Sequence, residues 1–336
     1  MLPSNSKNFQ FSAGWLSGFA QSDGCFTLTL EKTKTGLRIR PRPIFNLTQD
    51  KSEEEMFKSL IKYLGAGFVN RNRSNVSLDI RSLTVLNDVL FPIFDKHQLK
   101  YGKLKAYLIF KKIVEEMLKK NHLKLEGLLR IIYLAFELNK ERRTKESKDN
   151  LLKFLESVHG KLPTPEELEI EALIHSISEE AEANSRSQPL SLEFVAGLID
   201  GDGSFNVSFQ IKPYRRVKVN FTVVQESSCR DLLVELIDYF SCGKVYDLPS
   251  AASRYQVENV DLMLSNIIPV LNKTKFNTNK GVYYDIAKEV SKIIKTKGYK
   301  TDDSFKEIVE LSYDSNKSGK RRHISKEEFR GRRRRS

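Results

Sequence analysis

The chain has 336 residues, 40% of them hydrophobic, with 56 Lys and Arg against 43 Asp and Glu, giving a net charge of +13 and a pI near 9.4. No apolar run approaches the ~20 residues that a bilayer span requires, and the N-terminus lacks the apolar core of a secretory signal. Three scattered cysteines (Cys25, Cys229, Cys242) and five histidines without ligand spacing (His97, His122, His159, His175, His323) argue against a disulfide framework and a zinc site, and fit a reducing compartment.

In chain order, the pattern predicts a helix over about 12–22 that ends in Ser-Asp-Gly. Strands follow over about 25–32 and 37–48, then a helix over 52–64 and strands over 67–72 and 76–80. Helices are expected over 83–94, over 103–118, and from Leu125 to about Asn139. An acidic stretch over 152–190 contains Thr164-Pro165-Glu166-Glu167, which looks like a helix start with Thr at the N-cap, and reads as a solvated linker helix.

The same order of elements then repeats. Asp23 and Asp202, Gln49 and Gln225, Leu60 and Leu236, Pro92 and Pro269, Lys103 and Lys280, Tyr107 and Tyr284, and Asn139 and Asn316 are all separated by 176–179 positions. An ordered series with so little drift means duplication. The expected organisation is an N-terminal domain over 8–151, the linker over 152–190, a C-terminal domain over 191–329 and a basic tail over 330–336. The fold class is α+β, with antiparallel sheets covered by helices on one face. In the second copy Phe205, Val207, Phe209 and Ile211 point one way, and Ser204, Asn206, Ser208, Gln210 and Lys212 the other. Asn, Gln, Lys and Arg read base edges in a major groove, which admits a two-stranded ribbon. Positive charge clusters at Arg38, Arg40 and Arg42, at Arg71 and Arg73, and from Tyr214 to Lys218. Neutralising phosphates releases counterions, so a nucleic acid is the favoured partner over an ordinary wet sheet face.

"GWLSGFAQSDG" from Gly14 and "VAGLIDGDG" from Val195 carry the chemistry. Ser17 and Gly18 match Ala196 and Gly197, and Ser22 matches Gly201. These small residues leave a flat stripe for close helix approach. Packing along it would bring Asp23 and Asp202 near each other at two helix C-termini, where partial negative charge accumulates. Such a site needs divalent cations, and oxygen-only ligands suit Mg²⁺ or Mn²⁺. Asp200 aligns with Gln21, so a carboxylate there is not required in both halves and is left out of the catalytic set.

In these two motifs the chain resembles the LAGLIDADG homing endonucleases in their single-chain, two-motif form. "GKLKAYLIFKKI" from Gly102 and "HLKLEGLLRIIYLAFELN" from His122 also resemble family segments. The resemblance implies two pseudo-symmetric αββαββα units forming a saddle on double-stranded DNA, and metal-dependent cleavage of both strands across the minor groove. It places Asp23 and Asp202 at the metal, assisted by the carbonyls of Ser22 and Gly201. It puts Gln49 and Gln225 around the cleavage-site water, and Lys103 and Lys280 where a lysine stabilises charge, with Lys100 a nearby competitor. Mg²⁺ is the implied cofactor, with Mn²⁺ substituting and Ca²⁺ supporting binding without cleavage. DNA reading is carried over to Thr27, Thr29, Arg38, Arg40, Asn46, Asn206, Ser208, Gln210, Arg215, Lys218 and Thr222. The halves differ along their strands, so an asymmetric target of roughly 20 base pairs, about two helical turns, is expected.

Two alternatives share the scaffold: an intron maturase that binds intron RNA, and a catalytically inactive DNA binder. Retention of both aspartates, glutamines and lysines argues against the inactive binder, while the basic surface allows the maturase. The resemblance implies a monomer without membrane contact, encoded in an intron of an organellar genome or of an archaeal gene, and the Lys-, Asn- and Ile-rich composition points to an AT-rich organelle, mitochondrion or chloroplast. "SKEEF" from Ser325 reads as a short terminal helix and Arg332 to Arg335 as a DNA-affinity tail.

Overall fold

A computed structural model describes residues 8–33, 38–138, 144–210, 215–313 and 326. Expectations for Ile211, Lys212, the Asn139 and Asn316 pair, Ser325 and the terminal arginines lie outside the described residues. The chain divides into two compact units, Phe11–Pro189, and Met1–Gln10 with Leu190–Ser336. Among the described residues no helix is long and apolar enough to cross a membrane.

The first unit begins with α1 (Ala13–Asp23), whose N-terminus is capped by Ser12 Oγ accepting from the Trp15 amide at 3.1 Å. Then come β1 (Gly24–Lys32), β2 (Ile39–Asp50), α2 (Glu54–Leu64), β3 (Phe68–Asn72) and β4 (Asn75–Ile80). Next are α3 (Leu83–Val85), α4 (Phe91–Lys96), α5 (Tyr101–Leu118) and α6 (Leu125–Leu138). The four strands are antiparallel in the order β1-β2-β4-β3. Alternation sets their faces: Phe26, Leu28, Phe45, Leu47, Val76 and Leu78 are buried, while Thr29, Arg40, Arg42 and Thr48 are exposed on the other side. On the buried face Phe26 meets Phe45, Phe110 and Tyr107 with centroids 5.2, 5.3 and 5.7 Å apart. Each such ring pair contributes about 0.5–1.5 kcal/mol beyond the area it buries.

Between α3 and α4 the backbone widens into a π-helical turn, Leu86–Leu90. Pro92 follows it; proline lacks an amide hydrogen and crowds the carbonyl four residues earlier, and the wider turn relieves both problems.

The chain continues in α7 (Lys145–His159) and α8 (Ile170–Ser187). Here the sequence reading needs correction, because 152–190 is not a solvated linker. Leu155, Leu168 and Ile170 are buried in a cluster with Leu129, Ile132 and Tyr133 of α6. Ile177 is buried with Ile113, Ile131 and Leu134. Charged residues conceal an apolar stripe. The buried ammonium of Lys100 donates to the Ser185 carbonyl at 2.5 Å and to that of Gln188, fixing the end of α8. Nor does α8 begin at Thr164. Thr164 and Glu167 form a reciprocal box, with Thr164 N–H to Glu167 Oε2 at 2.8 Å and Glu167 N–H to Thr164 Oγ1 at 3.2 Å. That box closes only one turn, because Glu169 takes a left-handed conformation (φ 54°) and the helix starts at Ile170.

The second unit repeats the plan with α9 (Leu192–Asp202), β5 (Gly203–Gln210), β6 (Arg216–Glu226), α10 (Arg230–Phe240), β7 (Lys244–Leu248) and β8 (Ala252–Val257). It continues through α11 (Val260–Leu262), α12 (Ile268–Leu271), α13 (Lys280–Thr296) and α14 (Asp302–Ser312). Strand order is β5-β6-β8-β7. A second π turn, Met263–Ile267, precedes Pro269, and Phe205 stacks on Phe221 at 4.8 Å beside Tyr284 at 5.3 Å.

Candidate functional site

The motif helices have no polar face. Gly14 to Gln21 in α1 and Phe194 to Asp200 in α9 are buried throughout, as expected of helices apolar on every side. Each ends on its aspartate, and the next glycine is dictated by space. A Cβ on Gly24 would lie 2.3 Å from the Ala20 carbonyl oxygen, and one on Gly203 would lie 2.6 Å from that of Ile199. The glycine therefore lets each strand leave its helix directly, holding Asp23 and Asp202 half-buried at the junction.

Both carboxylates have the same neighbours. Gln49 Nε2 donates to Asp23 Oδ2 at 2.6 Å, and Gln225 Nε2 donates to Asp202 Oδ2 at 2.5 Å. Lys103 Nζ donates to the Gly24 carbonyl at 2.8 Å. Lys280 Nζ donates to the Gly201 carbonyl at 2.7 Å and also to that of Gly203. Helix end, β2 or β6, and the first turn of α5 or α13 thus converge on one Asp, one Gln and one Lys in each unit. The Gly201 carbonyl, which the resemblance puts at the metal, accepts from the Lys280 ammonium. Lys100, the rival of Lys103, is committed to the backbone of 185–188.

Asp200 has a different role. Its carboxylate accepts from the Asn277 amide at 2.8 Å, the Thr278 amide at 3.0 Å and Thr278 Oγ1 at 2.6 Å, fully buried. Gln21 does the same in the first unit, its Oε1 accepting from the Lys100 amide at 2.8 Å. Both tie the motif helix to the turn before the next long helix.

In each unit the motif aspartate and the neighbouring main-chain carbonyls offer only oxygen donors, the donor chemistry that suits a hard dication such as Mg²⁺. Among the described residues no group of three or more His, Cys, Asp or Glu gathers as a metal cage.

The open sheet faces carry most of the predicted readers. Register puts Thr27 opposite Ile44, Thr29 opposite Arg42, and Arg40 opposite Glu31, with Asn46 between Cys25 and Asp79. Arg38 is exposed just before β2. In the second unit Asn206 faces Asn220, Ser208 faces Lys218, Gln210 faces Arg216, and Thr222 lies between Ser204 and Gln256.

Arg215 is the exception. Its guanidinium sits 2.9 Å from Asp302 and 4.3 Å from the Phe305 ring centroid, with only 8% of the side chain exposed. It shares the odd parity of Val217 and Val219, so it turns away from the face that Lys218 and Thr222 occupy. Arg216 takes the open side, and Asn220, Arg254 and Gln256 complete it; continuing the even numbers along β6 would have found the first two. Arg71 stays exposed but is also paired. It makes a two-pronged bond to Glu54 at 2.7 and 2.9 Å, and Arg71 with Lys58 pushes that carboxyl down to about 2.

Known proteins share this plan. A family model described as LAGLIDADG endonuclease matches residues 16–114 and 195–291. A protein of Mycosarcoma maydis named "Probable intron-encoded DNA endonuclease 1" is 36% identical over 276 residues, 82% of this chain and 97% of its own. A Neurospora crassa protein named "Probable intron-encoded endonuclease 2" is 26% identical over 88% of this chain and 63% of its own. Among solved structures, I-SmaMI bound to uncleaved DNA target with calcium ions superposes with a TM-score of 0.77 at 26% identity, covering 91% of this chain and 99% of that one. I-SmaMI bound to cleaved DNA gives 0.76 at 26% identity, covering 94% and 100%. Two motif regions, two matching units and a full-length relative agree: this chain belongs to the LAGLIDADG endonuclease family.

Proposed function

We propose that the chain is a site-specific homing endonuclease that binds a long asymmetric duplex and hydrolyses both strands, promoting the mobility of its own intron. The observation that carries this is the Asp–Gln–Lys constellation, present in each unit beside a polar sheet face. Family membership and the DNA-bound I-SmaMI structures support it.

Asp23 and Asp202 would hold Mg²⁺, or Mn²⁺ in its place, with the Ser22 and Gly201 carbonyls as further oxygen donors and Ca²⁺ supporting binding alone. A bound dication supplies Lewis-acid activation of phosphate and a more acidic water. The chain's own part is positioning. Gln49 and Gln225 hold each carboxylate in one rotamer, as partners of metal-ligating groups commonly do. Lys103 and Lys280 bring positive charge to helix ends that carry partial negative charge, where it would also stabilise charge developing on a phosphate. Thr27, Thr29, Arg38, Arg40, Asn46, Asn206, Ser208, Gln210, Lys218 and Thr222 would contact DNA. Intron-encoded relatives and the Lys-, Asn- and Ile-rich composition support a gene in an organellar intron.

The test is incubation with DNA carrying the intron-free host locus in Mg²⁺, Ca²⁺ or EDTA. One double-strand break in Mg²⁺ alone, lost in Asp23→Asn and Asp202→Asn with binding in Ca²⁺ retained, is the expected result. Full cleavage by either variant would refute the metal assignment, and binding without any cut would make the chain an inactive DNA binder.

A further inference from the structure

The two open faces differ sharply at one equivalent point close to the catalytic carboxylates. Four residues after Asp23 stands Thr27, directly opposite Ile44; four residues after Asp202 stands Asn206, directly opposite Asn220. The first unit thus offers methyl groups where the second offers a pair of amides. Ile44 is half-exposed, and its parity turns it away from the Phe26–Phe45 core, so packing in that core does not explain an aliphatic side chain amid Thr, Arg and Asn. Asn220 carries an independent sign. Its Oδ1 is shielded from water and meets no hydrogen-bond donor among the described residues, an unfavourable state for a carbonyl oxygen that a ligand would relieve. On the same face the Nε of Arg254 is also shielded without a partner among the described residues.

Building on the endonuclease reading, we infer that positions 44 and 220 set different base preferences in the two half-sites. Ile44, with the Thr27 methyl, takes the C5-methyl of a thymine. Asn220 takes an adenine, its Oδ1 accepting from N6 and its Nδ2 donating to N7, the bidentate pairing that an asparagine amide matches. The target is therefore asymmetric at this step because the chain is.

Wild type, Ile44→Asn and Asn220→Ile are each used to select from a duplex library randomised over roughly 20 base pairs, in Ca²⁺, and the bound DNA is sequenced. Asn220→Ile should lose an adenine preference at one position of one half-site, by roughly tenfold to a hundredfold. Ile44→Asn should lose a thymine preference at the matching position of the other half-site. Unchanged preferences in both variants, with wild type selecting a defined sequence, overturn the assignment and leave the endonuclease reading standing. No selected sequence with wild type overturns both. Should a variant fail to fold, wild type decides the matter with modified targets: uracil for that thymine should cost roughly fourfold in affinity, the worth of one methyl, and 7-deazaadenine should also weaken binding. Unchanged affinity for both analogues overturns the proposal.

Discussion

Asp200 and Asp202 stand two residues apart in one motif and should fail in opposite ways. Replacing Asp200 with Ala removes the acceptor of three buried hydrogen bonds, from the amides of Asn277 and Thr278 and from Thr278 Oγ1. Bonds to a carboxylate contribute about 1.5–3 kcal/mol each, and the two stranded main-chain amides then carry their own desolvation cost. The hydroxyl can turn elsewhere and water can enter the space left, so a net loss of about 3–5 kcal/mol is expected. One kcal/mol moves the midpoint of a domain of this size by a few degrees, so the second unit should melt roughly 10–20 °C lower. Urea unfolding and a thermal melt read that loss, and cleavage well below the lowered midpoint should stay within a few-fold of wild type. Asp202→Asn should show the reverse, a normal melt and no cleavage. An Asp200→Ala protein that melts like wild type, or that loses cleavage while fully stable, would refute the division of labour.

Gln225→Ala should lower cleavage by roughly tenfold to a hundredfold and raise the Mg²⁺ concentration needed for half-maximal rate, as loss of a ligand-orienting partner does; a Mg²⁺ titration with unchanged midpoint and rate would count against its role. Arg40→Ala should weaken DNA binding and reduce the salt slope by about one unit, measured by anisotropy across a salt series. Arg215→Ala should leave that slope unchanged and lower stability instead, since its guanidinium is spent on Asp302 and Phe305.

Much of this architecture was legible because each element carries its own period. The polar and apolar alternation of β5 and the apolar run of α9 need no tertiary information, and duplication let each half check the other. The ranking of Asp200 below Asp202 came from the glutamine at position 21, and the shared contacts of Gln21 and Asp200 give its physical reason. What failed depended on neighbours far away in sequence. Leu155, Leu168 and Ile177 sit among acidic residues, and only the apolar faces of α5 and α6 reveal what they are for. Arg215 was misplaced by one step of strand parity. The capping residues at Thr164 are real, yet a cap signals a turn, and the left-handed Glu169 stops that turn from growing.

The lysine, glutamine and aspartate of each constellation come from the same unit, as do the aromatic residues beneath them. A half of the gene therefore carries its own core and its own share of the proposed site. If recombination between relatives joined one half to a different partner, each Asp–Gln–Lys group would travel whole, and under the proposed function the new chain would combine two half-sites into a composite target.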